Sequence, residues 1–257
     1  MAAFFEGRAS DSPYVYRVWR GHFEEDRMPI CQADAHWNLL FLRQGSQVRV
    51  AAEGPLTQAL SKFEAEGSEF LVIQFEAGVY MPHLAPDDLA NVSQTLPLSS
   101  SRRFWAKGSS WEMPTFENVE GFADRLVCQG LLEHDAIVKE ALAGHVSDVS
   151  ERTIRRRFLH TTGMTLNVMQ QIERARRAAS LLEHGVEMVD AALQAGYADQ
   201  SHMTRSLRRY FGRTPTQLQH SAFEQVCPIC SRRGLMVDLC SCCQRQEQPI
   251  IRSLSYA

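Results

Sequence analysis

The sequence predicts an α+β protein built from two unlike halves and a short tail. Three observations carry that expectation. Strand-length runs of β-branched and aromatic residues dominate as far as Tyr80, helical three- and four-residue apolar steps take over near Phe116, and five of the seven cysteines crowd behind residue 226. A chain of 257 residues is long enough to bury two modest cores. The expected division is a β-rich regulatory, ligand-binding or dimerisation domain over 1–112, a linker helix over 113–132, an all-α domain over 133–222 and a Cys-rich tail over 223–257.

Residues 1–12 read as a loose arm. Residues 14–19 alternate Tyr and Val and end on Trp19, a strand composition. Residues 37–42 and 47–51 flank Gly45 and Ser46, which predicts a hairpin. Residues 70–75 form a short apolar run of strand length. Pro82, Pro86, Pro97 and the serines at 99–101 read as loops. The whole is a small barrel or sandwich. Phe116, Val119, Phe122, Leu126 and Leu131 then mark an amphipathic helix, either a connector between domains or a surface for a second copy. Residues 136–142 begin the next helix.

No apolar run approaches the roughly 18–20 residues that span a bilayer. The first residues lack a basic region and a secretory apolar core, so a cytoplasmic setting is expected. No nucleophile–base pairing, phosphate-cradling glycine loop or HExxH site is visible, so the chain does not read as an enzyme. His22, His36, His83 and Cys31 match no metal-ligand spacing and read as satisfied surface or core residues.

The net charge of −3 hides an asymmetry. Residues 146–220 hold 11 Arg, no Lys and 7 acidic residues, a balance of +4 that leaves −7 for the remainder. A locally cationic, Arg-only segment suits phosphate and guanine edges, to which the guanidinium offers a planar fork. Two helix-turn-helix units fit this segment. In the first, Ser150 is an N-cap, Ile154 and Phe158 face inward, Arg152, Arg155 and Arg156 face outward, and Gly163 ends the helix. In the second, Val189, Ala192 and Leu193 form the apolar side of a supporting helix and Gly196 makes the turn. Met203, Leu207 and Phe211 face the core, leaving Gln200, Ser201, Thr204 and Arg205 where a recognition helix meets base edges. Arg208, Arg209 and Arg213 lie further along and suit phosphates. Between the units, Ile172, Ala175, Ala179 and Leu182 share one stripe of a spacer helix.

The residues Ser150, Arg152, Ile154, Arg156, Phe158, Gly163, Met164 and Thr165 open a pattern that continues through Ile172, Arg174, Ala178, Leu181 and Leu182. It closes on Gly196, Tyr197, Asp199, Gln200, Ser201, Met203, Thr204, Arg205, Leu207, Arg208, Tyr210, Phe211, Gly212, Thr214 and Pro215. This pattern resembles the DNA-binding domain of AraC/XylS-type transcriptional regulators, over about a third of the chain. The resemblance implies a sequence-specific regulator with two recognition helices in adjacent major-groove segments. It places base contacts on Arg152, Arg155 and Arg156, and on Gln200, Ser201, Thr204 and Arg205. It also implies a sensing or dimerising β-domain ahead of the reader. Double-stranded DNA is the expected partner. A small-molecule effector, RNA polymerase and a second copy of the chain are further partners this reading admits. One departure is the Ala-rich stretch 191–195, where the family often carries a more apolar supporting helix.

The tail lies outside that pattern. Cys227 and Cys230, then Cys240 and Cys243, give two CxxC pairs nine residues apart, the donor set of a zinc-ribbon-like structural Zn2+ site. Cys242 is surplus and could replace a neighbour as ligand. A redox-sensing thiol cluster, or a tail with incidental cysteines, are the alternatives. The competing functional reading is a metal- or thiol-responsive regulator whose sensor is this tail.

Overall fold

The computed structural model describes residues 3–84, 90–142 and 149–220. Cys227, Cys230, Cys240, Cys242 and Cys243, and with them the expected zinc-ribbon-like tail, lie outside the described residues. The strands are β1 (Ala3–Ala9), β2 (Val15–Phe23), β3 (Ile30–Cys31), β4 (Asn38–Gln44), β5 (Gln47–Glu53), β6 (Leu60–Ser61), β7 (Ser68–Phe75), β8 (Val79–Tyr80), β9 (Ser93–Leu96), β10 (Leu98–Ser100), β11 (Arg103–Ala106), β12 (Ser109–Glu112) and β13 (Glu133–His134). The helices are α1 (Val119–Cys128), α2 (Ala136–Leu142), α3 (Glu151–Thr162), α4 (Leu166–Glu183), α5 (Met188–Gln194), α6 (Gln200–Phe211) and α7 (Pro215–His220). The protein is thus β-rich at its N-terminal side and helical at its C-terminal side.

Six strands form one antiparallel sheet in the order β1-β2-β7-β4-β5-β9. Gln44 pairs with Gln47 across the expected hairpin, with Gly45 at φ 58. Alternation sends Leu39, Phe41, Val50, Ala52, Ile73 and Phe75 to one face, where they pack with Phe104, Trp111 and the buried side of α1. Trp19, Phe23, Leu40, Phe70 and Val72 form a second cluster. Ribbon β3–β6 and ribbon β8–β13 complete the domain.

Three readings need correction here. The stretch 1–12, expected as a loose arm, contributes the edge strand β1, paired with β2 along its whole length. The reason is non-local. Gly7 lies against the Trp19 indole, where a Cβ would come within 2.2 Å of Cε3, so β1 is shaped to its neighbour rather than marked by its own propensity. The serine-rich stretch read as loop forms β10, which joins β11 and β12 in a three-stranded sheet. Finally, α1 spends its apolar side inside the chain. Val119, Phe122, Ala123 and Leu126 are buried in the main sheet core, so of its two readings the surface for a second copy is overturned and the connector is not.

The helices share a separate core of Ile154, Phe158, Ile172, Ala175, Ala179, Leu182, Met203, Leu207, Tyr210 and Phe211, as the i, i+4 spacings require. Ala33 and Ala35 of the β-rich side join the same core. In α5 the buried residues are Ala191 and Ala192, whereas Val189 is 55% and Leu193 65% exposed. Of the expected stripe Val189, Ala192 and Leu193, Ala192 is buried as expected and the other two turn outward. The stripe that packs on the core is Met188, Ala191, Ala192 and Ala195, at i, i+3, i+4 and i+7, and its alanines let the helix sit close to the core. No helix among the described residues is long and apolar enough to cross a membrane.

Candidate nucleic-acid interface

Each recognition helix is closed at both ends by its own sequence. Ser150 Oγ accepts from the Thr153 amide at 3.3 Å, and Gly163 at φ 65 donates back to Leu159 O at 2.9 Å. In α6, Asp199 Oδ1 accepts from the His202 amide at 2.7 Å, and Gly212 at φ 67 donates to Arg208 O at 3.1 Å. Side-chain N-caps and left-handed C-terminal glycines are how an isolated turn satisfies its orphan groups.

Arg152, Arg155 and Arg156 are all exposed on α3. Positions i, i+3 and i+4 share one face, so these guanidinium groups are presented together. Arg155 pairs with Glu151 at 2.5 Å in an exposed i, i+4 contact, a weak tether against a phosphate or a guanine edge. Arg157 turns the other way and donates to Asp135 Oδ2 at 2.9 Å; Asp135 in turn holds the first turn of α2 through the amides of Ile137 and Val138. On α6, Gln200, Ser201 and Arg205 are exposed and Thr204 is half-buried, all near the N-terminal end. Arg208 and Arg209 are exposed one turn on, and Arg209 lies over the Tyr210 ring at 5.3 Å. Arg213 is different. It is only 7% exposed, and burial lowers its pKa, so it is a structural residue rather than the phosphate contact expected from the sequence.

The two helices are also held from outside their own domain. Trp37 Nε1, at the start of β4, donates to Thr161 O at the end of α3, 3.1 Å away. The Ala33 amide donates to Tyr210 O and the Ala59 amide to Arg209 O, each at 2.8 Å, at the end of α6. A Cβ at Gly212 would stand 2.8 Å from Ile30 Cγ2, so this glycine serves both the left-handed turn and the close approach of β3. Tyr80 meets His160 edge-on at 5.4 Å. Between the helices, Arg176 of α4 lies 3.7 Å from Asp34 and also pairs with Glu173.

Asp34 sits at the centre of this seam. It accepts from Gln74 Nε2 at 2.8 Å and lies 2.6 Å from His36 Nδ1, while Tyr16 stacks on the His36 ring at 4.9 Å. Burial disfavours charge on both groups, but their mutual attraction and hydrogen bond outweigh it, so Asp34 is shifted down and His36 up. Sequence reasoning missed Ala33, Asp34, Trp37 and Ala59, because their role lies in partners more than a hundred residues away. His22 stacks on Phe4 and His36 pairs with Asp34. Among the described residues no group of three or more His, Cys, Asp and Glu side chains could hold a metal ion.

Residues 145–221 match the family model described as a helix-turn-helix domain. The HTH-type transcriptional regulator VirS of Mycobacterium tuberculosis is 33% identical over 101 residues, which cover 39% of this chain and 28% of VirS. The bifunctional transcriptional activator/DNA repair enzyme Ada of Escherichia coli is 36% identical over 93 residues, 36% of this chain and 26% of Ada. The chain thus spans about a quarter of the length of these curated relatives. The solved structure of ToxT from Vibrio cholerae aligns over 84% of this chain and 97% of ToxT, at 10% identity and a TM-score of 0.38.

Proposed function

Because residues 145–221 form a helix-turn-helix domain of the AraC type, we propose that this chain is a sequence-specific, DNA-binding transcription regulator that lays α3 and α6 into adjacent major-groove segments. One observation carries the reading: two capped helices, each presenting exposed Arg side chains on the face away from a shared core. Arg152, Arg155 and Arg156 read the first segment. Gln200, Ser201, Thr204 and Arg205 read the second, and Arg208 and Arg209 bind phosphate.

The β-rich domain sets the activity of the reader. The cavity of about 120 Å3 in that domain, lined by Cys31, Asn38, Glu53, Leu60, Lys62 and Val72, is well below the roughly 300–1,000 Å3 of small-molecule sites, so a small-molecule effector rests on the domain arrangement alone. In the tail, Cys227, Cys230, Cys240 and Cys243 hold one structural Zn2+; the support is the donor set itself, four thiolates in two CxxC pairs. Metal analysis of the purified chain, with and without replacement of Cys227 and Cys230 by Ser, tests that assignment.

The test of the main reading is a selection of bound sequences from random DNA, followed by titration at several salt concentrations. The expected result is an asymmetric site of two unlike half-motifs, about one helical turn apart, with affinity falling steeply as salt rises. Arg205→Ala should cost about 1–3 kcal/mol on that site and relax selectivity at one base. Equal binding of variant and parent would remove Arg205 from the reading face.

A further inference from the structure

The separation of the two recognition helices has a second determinant besides the spacer helix. Within the helical domain α6 packs closely on α4, whereas α3 packs chiefly on α2 and touches α4 and β8 to a similar, smaller extent. The strand leading into α2 is β13, and β13 pairs with β8. The first reader is therefore seated on α2, next to the β8–β13 ribbon, and the second on α4, while both contribute to one helical core. Besides α4 and the shared core, one short segment, residues 33–37, touches both seats. Its Trp37 indole holds the end of α3, its Ala33 amide holds the end of α6, and its Asp34 carboxylate reaches Arg176 on α4. Trp37 is fully buried, so this bond is made without competition from water. Ala59, from the neighbouring loop, adds a second amide at the end of α6.

We propose that segment 33–37 is the gauge that fixes the distance and rotation between α3 and α6, so that Trp37 and Asp34 are positioning residues selecting the spacer length between the two half-motifs of the DNA site. The inference rests on the proposed reading of DNA by both helices and deepens it. Adding or removing one base pair moves a half-motif by about 3.4 Å and turns it by about 35° around the helix axis. A pair of helices joined only through α4 and the Gly163 turn can follow such a change at small cost. A pair bolted to one segment at both C-terminal ends cannot, and discriminates against it.

The experiment uses the full chain and three duplexes carrying the selected site with its spacer unchanged, shortened by one base pair and lengthened by one. Affinities are measured at one salt concentration for the parent, Trp37→Phe and Asp34→Asn. Trp37→Phe removes the indole N–H while keeping an aromatic ring in the core. The parent should favour its own spacer by about tenfold or more over either neighbour, the size of effect a mismatched base pair has. In both variants that preference should shrink to within about threefold, with a smaller loss on the best spacer. Loss of affinity in equal proportion on all three duplexes would overturn the proposal, since a merely structural role lowers binding without changing the ratio. Unchanged ratios in Trp37→Phe, or in Asp34→Asn should Trp37→Phe fail to fold, overturn it as well. Failure of the parent to select two half-motifs at all is a separate result, and it removes the underlying reading along with the gauge.

Discussion

The two recognition helices solve the same local problem in the same way and are then supported in opposite ways. Both are twelve residues long, with a polar side-chain N-cap and a left-handed glycine at the other end. Yet α3 rests chiefly on α2, touches β8 about as much as α4, and meets the β-rich domain through side chains, namely Trp37 and Tyr80. By contrast α6 rests on α4 and takes two backbone amides from that domain. The lesson is that a repeated motif need not be a repeated unit. Caps and apolar spacing make each helix, but the neighbour that buries the spacing decides what the helix moves with.

The sharpest way to break this comparison is to empty each seat in turn. Phe158 of α3 and Leu207 of α6 are both fully buried. Phe158→Ala should cost about 3–5 kcal/mol and Leu207→Ala about 2–5. If the readers are anchored as described, Phe158→Ala also loosens the β-rich domain, seen as a shift of the tryptophan fluorescence transition in urea, since Trp19, Trp37, Trp105 and Trp111 all lie in that domain. Leu207→Ala should leave that signal in place until the helical core opens. Matching behaviour of the two variants would show the seats to be equivalent.

A smaller effect tests the part the helices have in common. Ser150→Ala and Asp199→Ala each remove a side-chain N-cap, for about 0.5–2 kcal/mol apiece. Thermal denaturation should show similar losses in both, since the caps are local. A much larger loss for one of them would mean that its cap also carries tertiary load.

The smallest expected effect concerns the seam between the domains and depends on pH. His36 is shifted above its ordinary value of 6.5 by the Asp34 carboxylate, against burial and Arg176, with Glu76 adding to the upward shift. A group raised in the folded state contributes fully below its unfolded pKa and loses that contribution as pH rises through the folded value. Asp34 is shifted down, so its contribution is present above its ordinary 3.8 and lost only in strong acid. Stability should therefore fall gently as pH rises above about 6.5, and this slope should vanish in His36→Gln. Urea midpoints across neutral pH check it; an unchanged slope in the variant would assign the dependence to another group.

How much of this was legible in the chain follows the same division between local and distant. Gly163, Gly196 and Gly212, the Ser150 cap and the four-residue steps from Met203 to Phe211 all state their purpose within a dozen residues, and the helices stand where they indicate. The outward faces of Arg152, Arg155 and Arg156 followed from the inward faces of Ile154 and Phe158. What could not be read depends on partners far along the chain. Nothing in 3–9 announces an edge strand until Trp19 is seen lying under Gly7. Arg213 looks like its neighbours at 208 and 209 and differs only in being covered. Val189 and Leu193 satisfy a helical spacing that the fold left unused, because the stripe through Met188, Ala191, Ala192 and Ala195 faces the core instead.

The amides of Ala33 and Ala59 belong to the β-rich domain, yet their acceptors are carbonyls at the end of α6, the proposed second reader. Their hydrogens are sheltered only while that helix is in place. Exchange of these two protons with solvent is accordingly a clock that counts departures of the second reader from the sheet, and by reciprocity of linked equilibria an operator that holds the helix in place slows the clock by the same factor that the contact tightens the operator.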